Sequence, residues 1–209
     1  METVVQPFEQ ARLGGRQIDI GHADLGKSER RGPLPQARHQ RVGIDALSNV
    51  RNGHHVPILE TRSLAWADEA ACAASAAAVA SHPAVRDAFI ELHGTLGAGK
   101  TTFVRHLLHA LGVQGRVKSP TYAVMEPYEL PEFSAWHFDF YRFNDPQEWE
   151  DAGFRDLFAA PGLKLAEWPE KADGLLPPPD LRIAIAIAGE HEREVSFAAC
   201  TPRGQELLP

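Results

Sequence analysis

The stretch HGTLGAGKTTF, His93 to Phe103, decides the fold of this chain. Within it, Gly94-Thr95-Leu96-Gly97-Ala98-Gly99-Lys100-Thr101 matches the pattern G-x-x-x-x-G-K-[ST]. In this pattern the glycine-rich loop turns its backbone N–H groups around a phosphate, and the following helix presents its positive N-terminal end. We therefore expect all eight residues to form a nucleotide-binding loop, with Lys100 on the outer phosphates and the Thr101 hydroxyl on Mg²⁺.

The sequence on either side of the loop has the context that such a loop requires. AFIELH, residues 88–93, is typical of a short buried strand. The segment after the loop predicts a helix that Gly112 ends, since its apolar residues fall on one face. These residues are Phe103, Val104, Leu107, Leu108 and Leu111. A chance match on a glycine-rich turn would lack this strand, loop and helix order, so we interpret the segment as a phosphate-binding loop.

The remaining segments alternate between strand and helix patterns. An alanine-rich helix is expected at ADEAACAASAAAVAS, and Asp145 is the predicted N-cap of a second helix. Strands are expected at ILETRSL, TYAVMEPY, SAWHFDFY, LKLAEW, LRIAIAIA and REVSFAAC. This alternation predicts an α/β P-loop NTPase fold, with a mostly parallel central sheet flanked by helices and a C-terminal antiparallel hairpin.

Two acidic residues are candidates to hold the Mg²⁺ ion, which such loops bind together with a nearby carboxylate. Asp139 lies inside the apolar strand pattern WHFDFYRF, and Glu167 ends the strand pattern LKLAEW. The alternatives are an ion pair of Asp139 with Arg142 and simple solvation of Glu167 at a strand end. The residues alone leave open which of the two acids contacts the metal.

Other polar and aromatic residues near these motifs allow two interpretations each. Ser119-Pro120-Thr121 is either a switch loop that senses the terminal phosphate or an ordinary turn. His93 and His137 have no metal-ligand spacing, so we expect structural roles for both. Trp168 is interpreted as a packing residue, with stacking near the nucleotide as the alternative.

The composition of the chain limits which partners and which cellular location are expected for the protein. The 209 residues carry a net charge of -7, which argues against a broad basic surface for nucleic acid. No apolar run is long enough to span a membrane, and the two cysteines show no metal-binding or disulfide spacing, so we expect a cytoplasmic protein. Residues 1–56 mix glycine, proline and arginine without a helical or strand period, which predicts a disordered extension before a P-loop ATPase domain at 57–205.

Four motifs in order resemble a known family. GTLGAGKTTF, SPTYAVMEPYE, HFDFYRF and LAEWPEKADGLLP are similar to those of the TsaE family, the bacterial tRNA threonylcarbamoyladenosine biosynthesis ATPases. The resemblance covers about residues 58 to 200. It implies a weak ATPase that uses ATP and Mg²⁺ and supports a complex of TsaB and TsaD, with tRNA contacted indirectly through that complex.

The resemblance also assigns roles to individual positions. It adds two threonines to the nucleotide-binding residues. Thr102 comes directly after Lys100 and Thr101, and Thr121 is the threonine of the S-P-T element. It implicates Lys100, Asp139 and Glu167 in catalysis, and Thr101, Asp139 and Glu167 in Mg²⁺ binding. Two departures are visible: Thr95 stands where the family's loop often has aspartate, and the long N-terminal extension is additional.

Two other functions remain open at this stage. A P-loop small-molecule or nucleoside kinase would use the same loop but needs a cationic lid. The candidate lid, residues 144–162, has one arginine among five acids, which is unfavourable for clamping a phosphate. A slow nucleotide-gated assembly module is the second alternative.

Overall fold

A computed structural model describes residues 50–51 and 54–209 of the chain. Two short strands, β1 (Val50–Arg51) and β2 (His54–His55), pair antiparallel with each other. The rest of the predicted extension 1–56, apart from the buried Val56 that follows β2, lies outside the described residues. None of the helices in the described part of the chain is long and apolar enough to cross a membrane.

Seven further strands and five α-helices make up the remainder of the described chain. The strands are β3 (Glu60–Trp66), β4 (Phe89–His93), β5 (Met125–Glu129), β6 (Ser134–Asp139), β7 (Leu163–Glu167), β8 (Leu181–Ile187) and β9 (Arg193–Ala199). The helices are α1 (Glu69–Ala80), α2 (Lys100–Ala110), α3 (Pro146–Asp151), α4 (Phe154–Ala159) and α5 (Pro202–Glu206). Short 3₁₀ helices lie at Pro83–Asp87 and Pro169–Ala172.

The seven strands form one mixed sheet in the order β3-β9-β8-β4-β7-β6-β5. The four central strands, β8, β4, β7 and β6, are parallel, and antiparallel strands complete both edges. The predicted α/β P-loop NTPase fold is confirmed, and the last two strands form the expected antiparallel hairpin. The parallel part is confined to the centre of the sheet.

Alternation along β4 shows how the sheet is covered on both faces. Ile90 and Leu92 join a core with α1 and α2, whereas Phe89 joins a second, aromatic core with Phe138 and Trp149. Successive strand residues point to opposite faces, so the two cores lie on opposite sides of the sheet. A three-layer arrangement results, with α1 and α2 on one face and α3 and α4 on the other. Because helices cover both faces of the sheet, nearly every residue of β4 and β7 is buried.

The parallel register brings the ends of three strands to one edge of the sheet. Leu92 of β4 is paired with Glu167 of β7, and Glu167 is paired with Asp139 of β6. The carboxyl ends of β4, β7 and β6 therefore meet where the chain leaves β4 and enters the glycine loop. Open α/β sheets bind their ligands at this edge.

Glycine at position 94 is required by a close backbone approach. Gly94 has φ +142°, and a Cβ atom placed there would lie 2.4 Å from the Ile185 carbonyl oxygen of β8. A side chain at this position would collide with the neighbouring strand. Gly97, with φ +79° and open space around it, lacks this constraint.

We predict that Gly94→Ala lowers the free energy of unfolding by at least about 2 kcal/mol, because the methyl group collides with backbone and the φ angle is strained. Gly97→Ala, which adds strain alone, should cost about 1 kcal/mol. Urea unfolding of both variants measures the difference. Equal losses of unfolding free energy in the two variants would show that the close approach to the Ile185 carbonyl adds no cost of its own.

Candidate functional site

Lys100, the first residue of α2, is held inside the loop that precedes it. Its side chain is 4% exposed, and Nζ donates hydrogen bonds to the carbonyl oxygens of Gly94 at 2.6 Å and Thr95 at 3.0 Å. The ammonium lies 3.8 Å from the centre of the Trp168 ring. Burial lowers the pKa of Lys100, and the charges of Glu167, Glu170 and Asp139 act in the opposite direction. The structure thus places a buried cation at the N-terminus of a helix, where anions are favoured.

Thr101 and Glu167 form the second part of the site. The Thr101 hydroxyl donates to the Glu167 carboxylate, with oxygen distances of 2.8 and 3.0 Å. Glu167 is 2% exposed, so the alternative of a solvated strand-end acid is wrong. Its Oε1 atom also lies 2.8 Å from Nε2 of His137, a fully buried residue of β6.

Asp139, at the end of β6, accepts hydrogen bonds from the Ser119-Pro120-Thr121 loop. Its Oδ2 atom receives the hydroxyls of Ser119 and Thr121, the latter at 2.8 Å, and Oδ1 receives the Tyr141 N–H at 3.0 Å. The alternative ion pair with Arg142 is therefore not formed, and the Arg142 guanidinium instead lies 4.3 Å from the Tyr122 ring centre. The S-P-T loop is connected directly to an acid at the sheet edge, as a loop that responds to a ligand at that edge would be.

These groups surround a cavity of about 330 Å³. Nine predicted site residues line it: Leu96, Gly97, Gly99, Lys100, Thr101, Thr102, Thr121, Asp139 and Glu167. Of the other predicted residues, Gly94 and Thr95 supply carbonyls to Lys100, and the buried Ala98 lines a second cavity. The cavity is rich in oxygen atoms from hydroxyls and carboxylates, which are the ligands that Mg²⁺ prefers.

A second cavity of about 220 Å³ adjoins the loop at Ala98 and Gly99. It shares Gly99 and Thr102 with the first, and its wall includes Trp66, Cys72 and His191. Burial, with a smaller contribution from Glu69, raises the pKa of the Cys72 thiol to about 12, so the thiol is uncharged. The same lining also contains the acids Asp68, Glu69 and Glu190 and the cation Arg193. The two cavities therefore adjoin at Gly99 and Thr102, at the N-terminus of α2.

Arg193 connects the C-terminal hairpin to the loop. Its Nε donates to the Ala98 carbonyl oxygen at 2.9 Å, and Nη1 donates to the Glu192 carbonyl at 2.8 Å. The β8–β9 turn is thereby fixed beside the second cavity. Nothing in the sequence near Arg193 indicates this contact, because the two partners are 95 residues apart.

Three site residues were missed or assigned another role by sequence reasoning. Tyr141 lines the first cavity, Trp168 lines it and lies against Lys100, and His137 contacts Glu167. His137 could have been found from strand alternation, since it lies two residues before Asp139 on the same face. His93 lies 3.1 Å from Glu91 and does not line either cavity.

A protein-family model and two individual relatives that match this chain all carry the same protein name. The family model "Threonylcarbamoyl adenosine biosynthesis protein TsaE" matches residues 66–195. The chain is 41% identical over 119 residues to the tRNA threonylcarbamoyladenosine biosynthesis protein TsaE of Haemophilus influenzae, covering 57% of this chain and 75% of that protein. The Bacillus subtilis protein of the same name is 38% identical over 118 residues, covering 56% and 73%.

A solved structure is similar as well. The crystal structure of Bacillus subtilis YdiB superposes with a TM-score of 0.57 at 28% identity, covering 71% of this chain and 91% of that chain. The family match begins at Trp66, the last residue of β3, and ends at Val195 in β9. It includes every residue that lines the two cavities.

We predict that Lys100→Met lowers the affinity for a nucleoside triphosphate by about tenfold or more, because it removes the only ammonium in the cavity lining. Isothermal titration with ATP measures the change. Lys171→Met removes an exposed lysine outside the lining and is the control, with affinity unchanged. Unaltered binding by Lys100→Met would contradict the assignment of the phosphate site.

Proposed function

The chain belongs to the TsaE family, and on this premise we propose that it is an Mg²⁺-dependent ATPase that supports the threonylcarbamoylation of tRNA adenosine beside the anticodon. The family's P-loop nucleotide-binding character and its part in tRNA threonylcarbamoyladenosine biosynthesis agree with the fold and with the named relatives. The observation that carries the proposal is the contact of Thr101 with Glu167 beside the buried Lys100.

Phosphate binding would use the positive end of α2. The loop's N–H groups and the Lys100 ammonium provide donors, and phosphate oxygens would compete with the Gly94 and Thr95 carbonyls for that ammonium. Trp168 covers the lysine and limits its positions. These features favour a polyphosphate over a single phosphate. The Lys100 ammonium would contact one phosphate group, and the N–H groups at the N-terminus of α2 would contact another.

The residues present fit a Mg²⁺ ion that is held jointly with the nucleotide. The Thr101 hydroxyl donates a hydrogen bond to Glu167, which leaves the lone pairs of the Thr101 oxygen available to a cation. Within the described residues no three His, Cys, Asp or Glu side chains form a complete metal site. Mg²⁺ keeps water and phosphate ligands and takes few from the protein, so the Thr101 hydroxyl with a nearby carboxylate suits it. When bound, the ion would neutralise charge that develops on the phosphates.

Hydrolysis would depend on the two carboxylates at the sheet edge. Glu167 holds Thr101, while Asp139 holds Ser119 and Thr121 of the adjoining loop. A water molecule attacking the terminal phosphate needs an acceptor and a fixed orientation, and these carboxylates are the acidic groups in the cavity lining. Because Asp139 anchors the S-P-T loop, movement of that loop would change the acid's geometry.

The nucleoside would extend into the second cavity. Lys100, Thr101, Glu167 and Asp139 line the first cavity, which would hold the outer phosphates and the metal, and the adjoining cavity would take the nucleoside. Thr102 and Gly99 line both cavities and provide the connection. Trp66, Cys72 and Ala98 are the apolar residues of its lining, beside the acids Asp68, Glu69 and Glu190, and the base would contact them.

The proposed partners are the TsaB and TsaD subunits, and tRNA would be contacted through that complex in the cytoplasm. Leu96 in the loop is 72% exposed and Tyr122 is 85% exposed, with Leu96 lining the nucleotide cavity. Apolar side chains at such a position support a partner that detects the bound nucleotide. The net charge of -7 favours a protein partner over direct tRNA binding.

The kinase alternative is disfavoured by the segment that would have to act as a lid. Trp149 and Phe154 of this segment are buried in the aromatic core, which fixes α3 and α4 to the sheet. Its single arginine, Arg155, is exposed and lies 3.9 Å from Glu150. A segment that is anchored and acidic does not provide a cationic clamp.

We predict slow ATP hydrolysis by the purified protein and strong stimulation by the TsaB–TsaD complex of the same organism, measured as phosphate release with Mg²⁺. Glu167→Gln should lower the stimulated rate by about 10²-fold or more while nucleotide affinity changes less than about threefold, because the amide cannot accept a proton. Glu206→Gln, at an exposed acid of α5 that lines neither cavity, is the control. ATP binding without stimulation would overturn the proposed partnership.

We also predict that ATP binds about tenfold or more tightly than inorganic tripolyphosphate, because the base gains contacts in the second cavity. Cys72→Leu, which fills part of that cavity, should weaken ATP and leave tripolyphosphate unchanged, so the phosphate loop serves as the internal control. Equal weakening of both ligands, or of neither, would place the base elsewhere.

A further inference from the structure

His137 is a buried histidine that the proposed chemistry does not yet use. It lies on β6 opposite Leu165 of β7, two residues before Asp139. The alternation of the strand puts His137 and Asp139 on the same face, and the side chain of His137 reaches diagonally to Glu167. Its imidazole is fully buried, so it touches protein on all sides.

The contact with Glu167 determines which ring nitrogen carries the proton. An ionised carboxylate only accepts hydrogen bonds, so at 2.8 Å the Nε2 atom must be the donor. The other ring nitrogen, Nδ1, is buried and has no hydrogen-bond partner among the described residues. With the proton on Nδ1, the ring would bury a donor without an acceptor and would direct a lone pair at the carboxylate, which is unfavourable on both sides.

Glu167 in turn has two donors that hold it in one orientation. His137 donates to Oε1, and the Thr101 hydroxyl is shared between Oε1 and Oε2. The His137 donor comes from β6 of the sheet, whereas Thr101 belongs to the first turn of α2, next to the loop. Only the sheet-side donor is independent of whatever binds to the loop.

We propose that His137 is a positioning residue: by donating from Nε2 it fixes the Glu167 carboxylate in the orientation that receives the Thr101 hydroxyl. This inference rests on the proposed function, since the orientation matters through the metal and the attacking water. Loss of the donor leaves Glu167 free to rotate about its last side-chain bond, and the lone pairs of Thr101 are then no longer directed into the cavity. Residues that orient a metal-binding group in this way change affinity or activity by about 10- to 100-fold when replaced.

Two substitutions of similar size separate positioning from packing. His137→Gln keeps a side-chain N–H at comparable reach, and His137→Met fills the space without a donor. We expect His137→Met to lower kcat by about 10- to 100-fold with KM for ATP within about threefold, and to reduce the gain in ATP affinity that Mg²⁺ provides. His137→Gln should restore the greater part of both. Equal losses of kcat in the two variants would mean that His137 only packs. Unchanged kcat in both variants would show that His137 does not position Glu167.

A spectroscopic measurement tests the contact without any turnover. Long-range ¹⁵N–¹H NMR of the histidine rings in the full chain should show His137 with its proton on Nε2. An Nε2 atom without a proton would overturn the proposal, even if His137→Met fails to fold. If neither wild type nor variants hydrolyse ATP with the TsaB–TsaD complex, the proposed function fails, whereas the tautomer and the Mg²⁺ effect on ATP binding still decide the role of His137.

Discussion

The parallel register of β4, β7 and β6 is the constraint on which the site depends. Because Glu167 is paired with both Leu92 and Asp139, the glycine loop and two acids are brought to one point of the sheet edge. A shift of β7 by one residue would turn the Glu167 side chain to the aromatic face and break its contact with Thr101. The apolar residues of β7, which fill the cores on both faces, oppose such a shift and so maintain the chemistry.

Burying charge at this edge is unfavourable unless the charges satisfy one another. Lys100, Asp139 and Glu167 are each less than 5% exposed, and an isolated buried ion costs several kcal/mol. Each of the three has its own hydrogen-bond partners: two loop carbonyls, two hydroxyls with one backbone N–H, and a hydroxyl with an imidazole. The buried charges of the site are therefore stabilised by polar contacts with the loop, the S-P-T segment and the sheet.

The sequence predicted the parts of this protein that local patterns determine. The strand, loop and helix around Lys100 follow from glycine spacing and apolar periodicity, and the Asp145 cap of α3 follows from capping chemistry. The pairing of Thr101 with Glu167 could not be derived from the residues alone, because 66 residues separate them and the strand order is set by tertiary packing. For the same reason His137 was expected to be structural and Trp168 to pack, although both contact charged groups of the site.

The C-terminal hairpin links the outer part of the sheet to the loop. Arg193 donates to the Ala98 carbonyl and to carbonyls of the β8–β9 turn, so the turn and the loop share one guanidinium. Gly94 approaches the Ile185 carbonyl of β8 too closely for any side chain, which fixes the other end of the loop to the same hairpin. The loop is thus attached at both ends to a hairpin that is itself paired with β4 and β3. Because that hairpin also borders the second cavity, the position of the proposed base and the shape of the phosphate loop depend on one rigid element.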